Sequence, residues 1–143
     1  MQKHSIFLLL LLAAALPLDA AAAGCTAPGD YKFTTVHIAN YLPVSLHARC
    51  ASRTGTSTDN RSQDIAPNGE TSFSFCPQED TRVACELSAG SLFGRFAVFD
   101  GHFADKGVAQ YYWIAKPDGI FYYNDVDKQV VHTLPWNHPH PLV

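Results

Sequence analysis

The chain has 143 residues, with 10 Lys or Arg against 13 Asp or Glu, so its formal net charge is −3. Because there is no basic surplus to hold a polyanion, nucleic acid is not expected as a partner. Aromatic residues make up 12% of the chain and apolar residues are spread along it, which excludes a disordered protein and, at this length, indicates a single domain.

The first 23 residues have the three-part pattern of a secretory signal peptide. Lys3 lies in a short polar start, residues 6–18 are apolar, and residues 20–23 are the small residues that a signal peptidase requires. The apolar run is shorter than the roughly 20 residues of a membrane-spanning helix, so membrane insertion is not expected. We therefore predict cleavage after Ala23 and a secreted, extracellular protein.

The rest of the chain is predicted to form short β-strands, because apolar and polar residues alternate within it. In residues 44–50 the alternation places Val44, Leu46, Ala48 and Cys50 on one face. Seven further segments have β-strand character, at residues 35–40, 71–75, 82–87, 95–100, 110–115, 119–123 and 128–134. About eight strands without a helical pattern indicate an antiparallel all-β fold.

Turn residues separate these segments. Ala-Pro-Asn-Gly at 66–69 and Lys-Pro-Asp-Gly at 116–119 place Pro beside residues that tolerate positive φ, and the second sequence predicts a hairpin. The polar stretch 52–62 is predicted to be an exposed loop. Residues 136–143 contain two prolines and no periodicity, which predicts a flexible tail after a domain at residues 24–135.

The arrangement of the strands follows from their apolar faces. A single sheet of this size would leave its apolar face in water, whereas two sheets packed face to face bury both faces. We therefore expect an antiparallel two-sheet β-sandwich with a core about 10 Å thick. A closed barrel is the alternative.

Four cysteines follow the predicted signal peptide, at Cys25, Cys50, Cys76 and Cys85, and we expect them to form two disulfides. Strand alternation turns Cys50 and Cys85 inward, where one option is a bridge between the two sheets. A tight hairpin around residues 77–80 would disfavour a bridge from Cys76 to Cys85. The pairing is otherwise open.

The sequence contains no signature of catalysis or of a cofactor. Gly-x-Ser-x-Gly, His-Glu-x-x-His and glycine-rich phosphate loops are absent. His138 and His140 are closely spaced but lie in the predicted tail, and a blue-copper site is excluded because Met1 is the only methionine. We therefore predict a protein that is not an enzyme and binds neither a metal nor a cofactor.

Two other features concern the surface and the core. Asn60-Arg61-Ser62 is an N-glycosylation sequon in the predicted loop, so Asn60 is expected to carry a glycan. Six aromatic residues on two adjacent strands are expected mainly to fill the core, with a ligand platform as the alternative: Tyr111, Tyr112, Trp113, Phe121, Tyr122 and Tyr123.

Six short motifs follow one another along the chain. They are VHIANYL at 36–42, LHARCAS at 46–52, NGETSFSF at 68–75, VACEL at 83–87, FAVF at 96–99 and WIAKPDGI at 113–120. In this order they resemble the plant self-incompatibility S-protein homologue family over residues 36–123. The chain differs from the family pattern in its neutral segment 53–60, where that family usually has an acidic loop, and in its additional Cys25 and Cys76.

The resemblance implies a β-sandwich and a secreted, non-enzymatic protein ligand that a cell-surface protein receptor recognises. Because rigid scaffolds often present specificity on loops, we expect the contact surface in the 53–62 loop, with Arg53, Asp59 and Arg61 as candidate residues, and then in the connection 101–107. The rival interpretation is a secreted defence or effector protein that binds a hydrolase or a wall polysaccharide.

Overall fold

In a computed structural model, which describes Cys25 and residues 31–124 and 128–137, the chain is all-β and forms two sheets. The predicted signal peptide and residues 138–143 of the predicted tail lie outside the described residues. The strands within the described ranges are β1 (Thr34–Asn40), β2 (Leu46–Thr54), β3 (Ser57–Ile65), β4 (Glu70–Phe75), β5 (Arg82–Ala89), β6 (Leu92–Asp100), β7 (Gln110–Lys116), β8 (Gly119–Asn124) and β9 (Gln129–Leu134).

The two sheets confirm the predicted sandwich. One has the strand order β4-β1-β7-β8-β9 and the other has the order β3-β2-β5-β6. Every neighbouring pair is antiparallel except β1 and β7, which run parallel with Thr35 opposite Gln110. The sequence predicts about eight strands, and the described residues contain nine, because one predicted loop is a strand.

The core lies between the sheets and is built mainly from alternate residues of β1, β2, β5, β6 and β7. Val36 and Ile38 of β1 are fully buried, and the ring centroids of Phe96 and Trp113, from opposite sheets, lie 4.8 Å apart. The alternation predicted for β2 is confirmed at Leu46, Ala48 and Cys50. It is wrong at Val44, which is 51% exposed, because β2 begins only at Leu46.

The predicted loop 52–62 is wrong. β2 continues to Thr54 and β3 begins at Ser57, so this segment forms a long hairpin whose turn has Gly55 at φ 57°. β3 is an edge strand, and every one of its side chains before Ile65 is exposed. When both faces of a strand are exposed to solvent, apolar and polar residues do not alternate along it, and its composition resembles that of a loop.

The disulfides join Cys50 to Cys85 and Cys25 to Cys76, which confirms two bridges with all four cysteines paired. Cys50 and Cys85 lie opposite each other on β2 and β5. Both strands belong to one sheet, so the predicted option of a bridge between sheets is wrong. The conditional argument against Cys76 and Cys85 assumed a hairpin that does not form, since β4 and β5 belong to different sheets.

The ordered domain extends beyond its predicted end at residue 135. Trp136 is only 7% exposed, and its indole N–H donates a hydrogen bond of 2.7 Å to the carbonyl oxygen of Lys116. Asn137 forms two hydrogen bonds with the backbone of Phe93, one through its own N–H and one through its side-chain oxygen. These two residues, assigned from the sequence to a flexible tail, therefore close one edge of the core.

Both predicted turns form. The Gly69 N–H donates to the carbonyl oxygen of Ala66 at 2.8 Å, and Asn68 adopts a φ of 62° as a Pro-Asn turn requires. At the second turn Lys116 pairs with Gly119, so Pro117 and Asp118 connect β7 to β8 as a hairpin. The turn chemistry of the sequence thus sets two of the connections.

Candidate functional site

The outward face of the four-stranded sheet carries a row of small side chains. Cross-strand register places Ala51 of β2 opposite Ala84 of β5, and Ala84 opposite Ala97 of β6. On the other side of Ala51, β3 contributes Asn60 to the same row. We call the strip formed by Ala51, Ala84 and Ala97 the alanine trough.

Charged rows border this trough on both sides. One row runs Thr58, Arg53, Arg82 and Asp100 across the four strands, and the other runs Ser62, Arg49, Glu86 and Arg95. Each row lies two residues along the strands from the alanines, a step of about 6.6 Å, except in β6, where a bulge puts Asp100 three residues from Ala97. The rows are therefore about 13 Å apart, and four arginines stand on the two sides of an uncharged floor.

A groove of about 580 Å³ occupies the side of the trough next to Arg53 and Arg82. Its lining also includes His102, Asp80 and Gly55. The two segments predicted from the sequence to carry the contact surface, residues 53–62 and 101–107, thus meet at one groove through Arg53 and His102.

The other candidate residues of the hairpin lie elsewhere. Asp59 and Arg61 belong to the opposite face of β3, because their register partners are Ser52 and Cys50. The guanidinium of Arg61 lies 5.5 Å from the ring centroid of Phe73, and its Nη2 lies 3.2 Å from Oδ2 of Asp59. The structure therefore separates Arg53 from Asp59 and Arg61, which the sequence places in one loop.

The charges around the groove are unevenly paired. Arg82 Nε lies 3.5 Å from Oδ2 of Asp100, whose side chain is 8% exposed and whose Oδ1 accepts a 2.9 Å hydrogen bond from the His102 N–H. Oδ2 of Asp80 accepts a 2.8 Å hydrogen bond from the Gly55 N–H. Within the described part of the chain, Arg53 forms no ion pair, and it lies directly opposite Arg82. Like charges placed opposite each other on neighbouring strands repel.

The second charged row is more nearly balanced. Glu86 lies between Arg49 and Arg95; it forms an ion pair with Arg49, and its Oε1 lies 3.7 Å from Arg95 Nε. One carboxylate thus serves two guanidinium groups. Arg53 is therefore the arginine of this face that forms no ion pair within the described residues.

The aromatic set of β7 and β8 is divided between core and surface. Tyr111 and Trp113 are buried, and Tyr122 packs against the core, as expected. The other three face outward and are partly exposed, at Tyr112, Phe121 and Tyr123. The His37 ring stacks on Tyr112 at a centroid distance of 4.4 Å and lies within 2.7 Å of oxygens from both Glu70 and Gln110. Half of the set therefore fills the core, and one ring of the outward half is covered.

Two phenols of this set have raised pKa values. Burial is the largest cause at Tyr111, and the charges of Tyr122, Asp105 and Tyr31 add to it, which raises the pKa of Tyr111 to about 12. Burial, followed by the negative charge of Asp105, also raises the pKa of Tyr122. Both hydroxyl groups therefore stay protonated near neutral pH.

The described residues contain no group of three or more His, Cys, Asp or Glu side chains that is placed to hold a metal ion. The same part of the chain also contains no helix long and apolar enough to cross a membrane.

A family model described as "Plant self-incompatibility protein S1" matches residues 35–136. The chain belongs to this family. The match runs from β1 to Trp136 and includes the alanine trough and, apart from Thr34, all nine strands of the described residues, which confirms the resemblance carried by the six motifs. The family consists of secreted, non-enzymatic recognition proteins. No curated protein matches the chain.

Sequence reasoning finds Arg53 and the 101–107 connection of this S1 family member but misses Arg82 and the alanines. One signal was present in β5, where Ala84 stands between Arg82 and Glu86 on the polar side of the alternation. A small apolar residue on a wet face leaves a depression between longer side chains. The cross-strand register was also needed, because three separate segments supply the alanines.

Gly101 shapes the segment that brings His102 to the groove, and we expect Gly101→Ala to lower the free energy of unfolding by about 2–3 kcal/mol. A Cβ at this position would lie 2.3 Å from the Gln78 carbonyl oxygen and 2.6 Å from that of Glu79, so backbone must move. Chemical denaturation measures the loss. Gly107→Ala is the control, because its Cβ would meet only the exposed side chain of Asp105, at 3.2 Å. Equal stabilities of the two variants would contradict this account.

Proposed function

We propose that this S1 family member is a secreted extracellular protein ligand, without catalytic activity, that a cell-surface protein receptor of plant cells binds in recognition between cells. The observation that carries the proposal is the family match over residues 35–136. It implies a role of the self-incompatibility kind, in which one cell releases the protein and another responds.

Two structural features support this role. The two disulfides suit an oxidising extracellular compartment, where small domains often depend on such bridges. The four-stranded sheet presents a groove of about 580 Å³ bordered by arginine side chains, which are frequent at protein–protein contacts. A rigid sandwich with such a face is suited to recognition by shape and charge.

The test is the binding of labelled mature protein, residues 24–143, to intact plant cells, with a reduced and alkylated copy as the control. We expect saturable binding that unlabelled native protein displaces and that the reduced copy does not reproduce. Treating the cells with a protease should abolish it. Binding that survives the protease would point to a wall polysaccharide and favour the rival defence or effector role, and equal binding of both copies would overturn the proposal.

The predicted glycan has its own test. Asn60 is exposed on β3 opposite Ala51, so nothing in the described structure covers its side chain. We expect protein secreted from plant cells to lose mass on glycosidase treatment, and Asn60→Gln to remove this loss. Ser62→Ala should do the same, while Ser62→Thr, which keeps the sequon, should retain the mass shift. A shift that persists in Asn60→Gln would place the glycan elsewhere.

A further inference from the structure

We propose that the alanine trough binds an acidic peptide segment of the protein's partner, with Arg53 and Arg82 engaging its carboxylates. This inference rests on the proposed function, because it specifies the chemistry of the surface that the receptor presents. It concerns one side of the trough, where the groove lies between the alanines and the row that contains the two arginines.

Charge is the first argument for a carboxylate. Arg53 has no ion pair among the described residues and lies opposite Arg82 across the strand pair, so two guanidinium groups share this corner and repel each other. Arg82 pairs with Asp100 at 3.5 Å, and the Asp80 carboxylate, which also lines the groove, accepts the hydrogen bond of the Gly55 N–H. A guanidinium presents a planar fork of donors that matches a carboxylate. An acidic side chain in the groove would relieve the repulsion and use the free donors of Arg53.

The attraction is local. The chain has a net charge of −3, so the protein as a whole repels an acidic ligand. Four of its five arginines nevertheless project from the outward face of one sheet, at Arg49, Arg53, Arg82 and Arg95. If the protein binds an acidic peptide selectively, the binding must therefore come from this face, because the overall charge of the protein opposes it.

The shape of the site fits an extended chain. The alanine methyl groups of three adjacent strands give a floor about 10 Å long, since neighbouring strands lie about 4.8 Å apart. The bordering rows stand about 13 Å apart, which is enough for one extended peptide with its side chains. Alternate residues of such a peptide face the same way about 7 Å apart, so the flexible arms of Arg53 and Arg82 can engage the carboxylates of two alternate residues.

Acidic polysaccharides also carry carboxylates, but the lining favours a peptide. No Trp, Tyr or Phe lies among the residues that line the groove in the described structure. A pyranose ring buries its apolar face best against a flat aromatic ring, which offers the largest apolar area of any side chain. The floor of methyl groups and the side walls of donors suit a narrow backbone instead.

The test measures binding of a fluorescent, end-blocked tetraglutamate peptide to the mature, disulfide-bonded protein at low salt. The matching tetraglutamine peptide and an unbranched oligogalacturonate are the comparison probes. We expect tetraglutamate to bind at least tenfold more tightly than tetraglutamine. Arg53→Gln should weaken this binding about tenfold, the loss expected for one charge-assisted pair. Raising the salt concentration should weaken it further.

The matched control is Arg61→Gln, which removes the same charge from the same hairpin but on the opposite face of β3. It should leave tetraglutamate binding within twofold of the wild type. Thermal unfolding of both variants should differ little from that of the wild type, since each side chain is exposed and contacts between exposed charges contribute little to stability. If both variants weaken tetraglutamate binding equally, the binding depends only on the net charge of the protein, and the proposed site is contradicted.

The comparison probes can also contradict the inference. Equal binding of the glutamate and glutamine peptides would overturn the inference, as would preference for oligogalacturonate with the same dependence on Arg53.

The cell-binding experiment separates this inference from the proposed function. If Arg53→Gln binds cells as the wild type does, the trough is not the contact surface, while the ligand role stands. If the wild type does not bind cells, the ligand role fails whatever the peptides show.

Discussion

Asn40→Asp is expected to lower the free energy of unfolding by about 4 kcal/mol, although the two side chains have nearly the same shape. Asn40 is the last residue of β1 and is completely buried. Its Nδ2 donates 2.9 Å hydrogen bonds to the carbonyl oxygens of Val44 and Ile65, and its Oδ1 accepts one from the Leu42 N–H. A carboxylate has no hydrogen to donate, so the substitution would set it against two carbonyl oxygens without water.

This penalty should depend on pH in a defined direction. Burial against two acceptors raises the pKa of the introduced carboxyl above its value of about 3.9 in the unfolded chain. The folded state then holds a proton that the unfolded state releases, so the loss of stability grows as the pH rises above about 4 and shrinks below it. Urea denaturation at pH 7 and near pH 4 measures both values against the wild type at the same pH.

Ser45→Ala is the control for Asn40. The Ser45 hydroxyl donates to the same Ile65 carbonyl oxygen, but over 3.4 Å and from an exposed residue. We expect its removal to cost less than about 0.5 kcal/mol. A loss for Asn40→Asp as small as that of Ser45→Ala, or one that does not change with pH, would show that the hydrogen bonds of Asn40 do not hold the β1–β2 connection.

Removing the bridge between β2 and β5, with Cys50→Ala and Cys85→Ala together, is expected to cost about 4 kcal/mol. The two cysteines are 35 residues apart, and releasing a loop of this size raises the entropy of the unfolded chain by the corresponding amount. Both positions are buried in the core, so the lost sulfur atoms also leave small cavities. Chemical denaturation under oxidising conditions measures the difference.

A reductant supplies the control for this variant. When the bridge of the wild type is opened, the two proteins differ only by the buried thiols, and the gap in stability should shrink to about 1 kcal/mol or less. The second bridge, from Cys25 to Cys76, opens in both proteins and does not enter the difference. A gap that stays the same with and without reductant would assign the whole effect to core packing.

The sequence predicts the strands of the sandwich well where one face of a strand is exposed to solvent and the other is buried. Val36 and Ile38 alternate with polar neighbours, and Val83, Cys85 and Leu87 do so in β5. The prediction fails at β3 because both faces of an edge strand meet water, which removes the alternation. Hydrophobic periodicity reports burial, and it finds strands only through burial.

β6 illustrates a second limit. Its register pairs Val83 with Phe99 and Ala84 with Ala97, so Val98 has no partner of its own. Val98 and Phe99 are adjacent in the sequence, and yet both are buried. A bulge of this kind breaks strict alternation and depends on the neighbouring strand.

The candidate site could be predicted only in part from the sequence, because it too depends on neighbouring strands. Arg53 and the 101–107 connection were identified as exposed segments, but the trough depends on the register of three strands, β2, β5 and β6. The position of Ala51 beside Ala84 and Ala97 depends on which strands are neighbours and how they are aligned. No local pattern of residues predicts this pairing between strands that are distant in the sequence.

The parallel pairing of β1 with β7 also governs when each half of the domain can form. A chain that is synthesised from its N-terminus presents all four strands of the sheet that carries the alanine trough, β2, β3, β5 and β6, before β7 is made. β1 has β4 as an earlier partner, but its parallel pairing with β7 must wait for the far side of the domain, and closing so long a loop costs entropy. We therefore expect the four-stranded sheet to assemble first during biosynthesis, with part of its apolar inner face uncovered until β7 and β8 join the other sheet. That interval is the step at which this small protein is most open to aggregation and to chaperones.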